Sequence, residues 1–210
     1  NPARTALRTV LMAQTSANSL PGINAGQFYW SRPDTFQSLD SKERTELWIL
    51  LGEVDMRQGN FDNAIAYFKM ALAKDPNNVR GLISLGEALL RRGQDLRAAA
   101  LAFRTALTLD INHESAFLAL NGLGEIAMKE SDFKNAINYL KFSLGRRPND
   151  AVLKVNLGNA LYKDHQYDKA IAILKDALST KPDIKLEKTL ELFYEKRSNG
   201  LKDGGSKSDP

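Results

Sequence analysis

Charged residues recur along this chain in pairs whose members are four positions apart. Three pairs join a glutamate to a basic residue, and the fourth has an amide in place of the acid: Glu53/Arg57, Glu87/Arg91, Glu125/Lys129 and Asn159/Lys163. On a helix, a glutamate and a base at this spacing stabilise the helix by about 0.2–0.5 kcal/mol. Such pairs would keep a helix surface soluble without any ligand, and the same charges would suit a ligand that carries charge of its own.

No combination of residues predicts catalysis or a resident cofactor. The chain has no cysteine, which excludes thiol nucleophiles, disulfides and thiolate metal ligands. Its two histidines, His113 and His165, are far apart in sequence and lack the spacing of a metal site. A glycine-rich phosphate loop and a His-Glu-x-x-His segment are both missing. We therefore expect a protein that is not an enzyme and that holds no metal and no cofactor.

The charged pairs belong to a longer pattern that occurs four times. Its fixed point is a Leu-Gly dipeptide, and the glycines, at spacings of 34, 38 and 34 residues, are Gly52, Gly86, Gly124 and Gly158. Apolar residues precede and follow each dipeptide at the i, i+3, i+4, i+7 spacing of a helix. Proline, which does not fit inside a helix, closes three of the four repeats. Each repeat therefore predicts two short helices joined by a turn.

This pattern resembles the tetratricopeptide repeat (TPR), whose signature is Trp-x2-Leu-Gly-x2-Tyr, then Ala-x3-Phe, then Pro. The first repeat departs from the signature at Asp55, where tyrosine is usual, and matches it at Trp48, Leu51, Gly52, Ala64, Phe68 and Pro76. The resemblance implies an all-α fold, a right-handed α-solenoid of helix-turn-helix repeats with a concave surface. In the first repeat, the small residues Gly52 and Ala64 would let the two helices approach closely.

The repeats predict the organisation of the whole chain. We expect an N-terminal helix with an aromatic loop in residues 1–44, followed by four repeats in residues 45–78, 79–113, 117–150 and 151–182. A capping helix in residues 183–199 and a disordered tail in residues 200–210 would complete the chain. Asp40 and Glu43 form a capping box that opens the first repeat helix. One extra residue near Asp95 to Ala98 and three at Glu114 to Ala116 account for the spacing of 38. They predict a longer helix or a wider turn there.

The turn between the two helices of a repeat favours glycine, as at Gly59, because it often needs a left-handed backbone. In the third and fourth repeats that glycine gives way to Ser131 and His165. Histidine tolerates a left-handed backbone better than β-branched residues do. We therefore interpret His165 as a turn residue and not as a ligand.

In TPR proteins the first helix of each repeat lines the concave groove, so the resemblance assigns three rows of residues to that surface. One row is mainly acidic, one is basic and one is mainly apolar: Glu53, Glu87, Glu125 and Asn159; Arg57, Arg91, Lys129 and Lys163; Ile49, Ile83, Asn121 and Val155. Such a groove would bind an extended or helical peptide. Its charges would set the register, and apolar pockets would supply most of the affinity.

One TPR subtype holds the C-terminal carboxylate of chaperones with lysine, arginine and asparagine side chains. The corresponding positions in this chain are Ile49, Glu53, Glu87, Asn121 and Glu125. Three of these residues are acids, which would repel a carboxylate. We therefore exclude the chaperone-binding subtype.

Composition and charge limit the kinds of partner and the cell compartments that fit this chain. A net charge of +4 and a pI near 9.2 are too mild to predict specific binding of nucleic acid. No run of about 18 apolar residues predicts a membrane span. The chain starts without methionine, and residues 4–17 are too polar for a signal peptide, so removal of an upstream signal or anchor stays open. Both the cytoplasm and the periplasm fit this sequence.

The function that we expect is a non-catalytic scaffold that binds a peptide or protein segment in its concave groove. The short four-repeat form is similar to bacterial TPR factors that assist assembly of envelope complexes such as pili, secretion systems or cytochrome maturation complexes. The alternative is a structural module that self-associates through the N-terminal helix or the aromatic loop. The sequence leaves the role of that loop, residues 28–36, open.

Overall fold

The computed structural model describes residues 39–180 and 183–204, and this part of the chain contains helices and turns without a strand. The helices are α1 (Ser41–Gln58), α2 (Phe61–Lys74), α3 (Val79–Arg92), α4 (Leu96–Leu109), α5 (Ala116–Lys129), α6 (Phe133–Arg146), α7 (Ala151–Lys163), α8 (Tyr167–Thr180) and α9 (Ile184–Gly204). The all-α class is confirmed. The predicted N-terminal helix and aromatic loop lie outside the described residues.

The chain divides into two compact units, the first up to Ser115 and the second from Ala116. In the first unit α1 pairs with α2 and α3 with α4; in the second α5 pairs with α6 and α7 with α8. We call the first helix of each pair helix A and the second helix B. The boundary falls where the spacing of 38 predicted extra length. The connection from α4 to α5 has six residues, against four after α2 and after α6.

Side chains at the helix starts fix where the helices begin. The predicted capping box is present, since Glu43 N donates to Asp40 Oδ1 at 2.8 Å and Asp40 N donates to Glu43 Oε2 at 3.0 Å. Asp95, Asp132 and Asp150 accept hydrogen bonds from the first turns of α4, α6 and α7. Each such cap typically contributes about 1 kcal/mol.

The turns between helix A and helix B use a left-handed residue, as the sequence predicted. The φ angle is +79° at Gly59, +77° at Gly93, +61° at Ser131 and +60° at His165. Outside glycine this backbone is uncommon. The His165 ring is held beside its own turn, with Nδ1 2.8 Å from the Tyr167 hydroxyl.

The two helices of a pair meet at the glycine of the Leu-Gly dipeptide. A Cβ added at Gly52 would lie 2.7 Å from Phe68 Cζ, and one added at Gly86 would lie 2.7 Å from Phe103 Cε1. Leu140 and Leu174 occupy the same place against Gly124 and Gly158. Because no real Cβ fits so close, only glycine allows these large side chains to rest on the backbone of helix A. All four of them are fully buried.

Helix α9 is longer than the predicted capping helix of residues 183–199. It runs from Ile184 to Gly204, so residues 200–204 are helical and their assignment to a disordered tail was wrong. The predicted stop at Asn199-Gly200 fails because glycine inside a helix costs only about 1 kcal/mol, whereas proline costs about 3 kcal/mol. Residues 205–210 lie outside the described part of the chain.

Replacing Gly86 with alanine tests the contact between the helices. We expect a loss of about 1–3 kcal/mol in the free energy of unfolding, because the new methyl group would overlap the Phe103 ring. Gly145→Ala in α6 is the matched control, since a Cβ there meets no atom within 4 Å. The control should gain about 0.5–1 kcal/mol from the better helix former. Urea unfolding measures both, and similar effects at the two sites would contradict the packing argument.

Candidate functional site

The predicted apolar pockets of the first unit are absent. Ile49 and Ile83 are 0% and 3% exposed, so neither offers a surface to a ligand. The prediction of apolar anchors at Ile49 and Ile83 was therefore wrong.

An arginine that sequence reasoning missed links the two A helices of the first unit. Arg80, at the start of α3, forms ion pairs with Glu46 at 2.6 Å and with Glu53 at 2.8 Å, both on α1. Burial opposes its charge, but Glu53 and Glu46 outweigh that effect and raise the pKa of Arg80. Glu53 is thus engaged by α3 and not by Arg57 on its own helix. A comparison of register would have found this signal, since Glu46 and Arg80 both stand six positions before the Leu-Gly glycine.

The basic row of the first unit faces solvent. Arg57 and Arg91 are both exposed. Arg91 Nη2 lies 3.7 Å from Glu87 Oε1, which is a loose version of the predicted i, i+4 pair. Arg57 has no ion pair with any residue in the described ranges. Its guanidinium is therefore available to an external carboxylate.

The second unit joins its A helices with amides instead of ions. Asn156 Nδ2 on α7 donates to Asn121 Oδ1 on α5 at 2.9 Å, and Asn121 Nδ2 donates to Glu125 Oε1 at 2.9 Å. Asn156 lies outside the three predicted rows. Val155 and Asn159 are half-buried. Lys129 and Lys163 are exposed and form no ion pair within residues 39–180 and 183–204.

The two units also differ at the N-terminal ends of their A helices. Where the first unit has Glu46 and Arg80, the second has Leu118 and Val152, which are 39% and 66% exposed. An ionic bridge in one unit is thus replaced by an exposed apolar surface in the other. Together with the half-buried Val155, these residues give the second unit an apolar surface that the buried Ile49 and Ile83 do not give the first.

Asp55, the residue that departs from the tyrosine of the repeat signature, is buried. It is 1% exposed; its Oδ1 accepts a hydrogen bond from Asn60 Nδ2 at 3.1 Å, and its Oδ2 has no partner among the described residues. Burial raises the pKa of the Asp55 carboxyl, and the hydrogen bond from Asn60 opposes the rise only in part. Burial, and then the charge of Asp55, raise the pKa of Tyr67.

Comparison with known proteins assigns the chain to a family. Family models for the tetratricopeptide repeat match residues 49–114, 94–151 and 127–188, which together span most of the described helices. The chain belongs to the tetratricopeptide repeat family. Membership points to a non-enzymatic scaffold fold through which TPR proteins bind protein or peptide partners. In the described part of the chain, no helix is long and apolar enough to cross a membrane.

Curated relatives and solved structures place this TPR chain among diverse proteins. It is 31% identical over 194 residues to ALBINO3-like protein 2, chloroplastic, of Arabidopsis thaliana, covering 81% of this chain and 37% of that protein. It matches MamA of Desulfovibrio magneticus with a TM-score of 0.66 at 25% identity, over 77% of this chain and 90% of that one. PilF of Pseudomonas aeruginosa has a TM-score of 0.74 over 96% of this chain and 88% of that one. At 17% identity, that likeness shows the fold alone. The chain spans little more than a third of the plant relative's length.

The buried carboxyl makes a prediction about pH. Because the pKa of Asp55 is raised in the folded state, its contribution to stability is fully present below its unfolded pKa and is lost as the pH rises through the folded pKa. At neutral pH the charged form is therefore destabilising. Asp55→Asn, which removes the charge and keeps the shape, should be more stable than the wild type at pH 7, with an advantage that shrinks towards pH 4. Urea unfolding at the two pH values measures this, and an advantage that grows on acidification would contradict it.

Proposed function

We propose that each unit of this TPR chain binds an acidic peptide segment of another protein along the exposed faces of its own two A helices. The observation that carries the proposal is the basic row, which consists of Arg57, Arg91, Lys129 and Lys163. Each A helix presents one of these residues, five positions after its Leu-Gly glycine, and all four are exposed. Three of them have no ion pair among the described residues, and the fourth, Arg91, has only a loose one.

The acidic row balances these charges only in part, because Glu87 pairs loosely with Arg91 and the other two glutamates have other partners. Glu53 is bound by Arg80 of the neighbouring A helix, and Glu125 accepts a hydrogen bond from Asn121. The basic residues point to a ligand with carboxylates, and complementary charge of this kind raises the association rate and fixes the register. The sequence predicted a groove for ligand charges of both signs, and our proposal restricts the ligand to an acidic one.

The second unit would add apolar contact to the charges. Leu118 on α5 and Val152 on α7 occupy the same position in their repeats, and both are exposed. Val155 lies one turn further along α7. Burying apolar side chains supplies most of the affinity of a typical peptide site. The first unit, in which Arg80 bridges Glu46 and Glu53, would bind its ligand through charge and hydrogen bonds instead.

Two other functions remain as outcomes of the test. Self-association would make the second copy of the chain, and not a peptide, the partner. A role in assembling a pilus, secretion or cytochrome maturation complex of the bacterial envelope is a narrower form of the scaffold function. The likeness to PilF is one of fold alone and does not extend our proposal to such a complex.

The experiment starts from peptides selected out of a random phage-displayed library on the purified chain. Fluorescence anisotropy at about 0.15 M salt, where interactions beyond about 8 Å are screened, then measures their affinity for variants. We expect Arg57→Glu/Arg91→Glu or Lys129→Glu/Lys163→Glu to weaken binding about tenfold or more, because each introduces repulsion where the wild type attracts.

The matched control is Arg97→Glu/Arg104→Glu on α4. Both residues are exposed and lie on a B helix of the first unit, and the change in net charge is the same. Binding to the control should stay within about twofold of the wild type. If neither A-helix variant weakens binding more than the control does, the proposed site is wrong. Light scattering that shows a dimer which no peptide displaces would favour self-association.

A further inference from the structure

Helix α9 docks on the second unit in the manner of another helix A. In the first unit, Arg92 on α3 pairs with Asp62 on the preceding helix B at 2.9 Å. At the end of the second unit, Arg197 on α9 pairs with Asp168 on the preceding helix B at 2.8 Å. Asp62 and Asp168 are equivalent, because each stands two positions before the alanine of the repeat pattern in its helix B, Ala64 or Ala170. The same inter-helix ion pair is thus formed twice.

This ion pair shows the register of α9 relative to the other A helices. Arg92 stands six positions after Gly86. If Arg197 is aligned with Arg92, Glu191 takes the place of the Leu-Gly glycine and Leu190 takes the place of the leucine. Burial follows the same register. Leu186 and Phe193 are buried, as are their equivalents in α7, Leu153 and Ala160. Phe193 also stacks on Tyr162 of α7, with ring centroids 4.0 Å apart.

The face of α9 that would meet a helix B of its own is different. At the glycine position α9 has Glu191, which is exposed. Glu187 and Tyr194 are exposed too, although their equivalents in α7, Lys154 and Leu161, are buried. In each of the four helix pairs, a large side chain of helix B packs against the glycine of helix A. A glutamate at that position leaves no room for such a side chain. This face is therefore polar and suited to solvent.

The remaining face of α9 corresponds to the ligand-facing rows of the other A helices. In this register Lys196 falls on the basic row of Lys129 and Lys163, and Leu192 falls on the row of Glu125 and Asn159. Lys188 stands one turn before Leu192, so the three residues lie at four-residue spacing along one side of the helix. All three are exposed, Leu192 to 58%, and neither lysine forms an ion pair within the described residues.

We propose that α9 extends the peptide-binding face of the second unit, with Lys188, Leu192 and Lys196 as its contacts. This inference rests on the function proposed above and names the ligand more closely. The occupant is a segment of another protein in which acidic residues flank an apolar side chain. The carboxylates pair with Lys188 and Lys196, and the apolar side chain packs on Leu192.

The test uses a fluorescein-labelled probe peptide in which aspartates flank one leucine, and a second probe with lysines in place of the aspartates. Anisotropy measures binding of both probes to the full chain and its variants at about 0.15 M salt. We expect only the acidic probe to bind, and we expect Lys188→Glu/Lys196→Glu to weaken its binding about tenfold. Lys134→Glu/Lys141→Glu on α6, which makes the same change in charge at exposed positions of a helix B, should stay within about twofold.

A double-mutant cycle tests direct contact with Leu192. Leu192→Ala and the replacement of the probe leucine by alanine should each weaken binding about threefold, and the two changes together should weaken it less than their product predicts. Far-UV circular dichroism checks that every variant keeps its helices. Additive effects would overturn the contact between the two leucines.

The controls separate the failure of this inference from failure of the proposed function. If Lys129→Glu/Lys163→Glu weakens the acidic probe and Lys188→Glu/Lys196→Glu does not, α9 lies outside the site while the A-helix site stands. If neither variant weakens it beyond the α6 control, or if the lysine probe binds equally well, both proposals are overturned.

Discussion

The contact on which each helix pair depends is that of a large apolar side chain with the bare backbone of a glycine. Phe68, Phe103, Leu140 and Leu174 each lie where a Cβ would otherwise be, and each is fully buried. This contact brings the helices of a pair close together and fixes which side of helix A turns inward. The positions one and five residues after the glycine are then left partly or fully exposed in all four pairs. The rows of candidate ligand contacts are a consequence of that packing.

Once the pairs are formed, the two units fill the same positions with different chemistry. Arg80 binds Glu46 and Glu53 across two helices, and because all three side chains are partly exposed, such pairs add little to stability, typically less than 1 kcal/mol each. Their effect is to occupy the acids and leave Arg57 and Arg91 as the available charges. In the second unit, Leu118 and Val152 leave an apolar surface instead. One repeat pattern therefore presents two kinds of exposed surface.

Departures from the repeat signature also show how buried polar groups are accommodated. Lys154 replaces the signature tryptophan in the fourth repeat and is buried, but its Nζ pairs with Asp176 at 2.8 Å and lies 3.2 Å from Thr180 Oγ1. Asp55 replaces the signature tyrosine and has one oxygen without a partner among the described residues. A buried carboxylate left in this state disfavours its charged form. The first substitution is compensated by an ion pair, whereas the second raises a pKa.

The sequence by itself determined the four helix pairs, the capping box at Asp40 and the left-handed turns at Ser131 and His165, because each depends on residues only a few positions apart. It also located the basic row, through the resemblance of the repeats to the TPR pattern. Only the tertiary structure decided that Ile49 and Ile83 are buried and that Glu53 pairs with Arg80, because neither follows from the spacing of residues within one helix. The same holds for α9. Its composition predicted a cap, but its register is seen only in the docked helix, in the burial of Leu186 and Phe193 and in the Arg197–Asp168 ion pair.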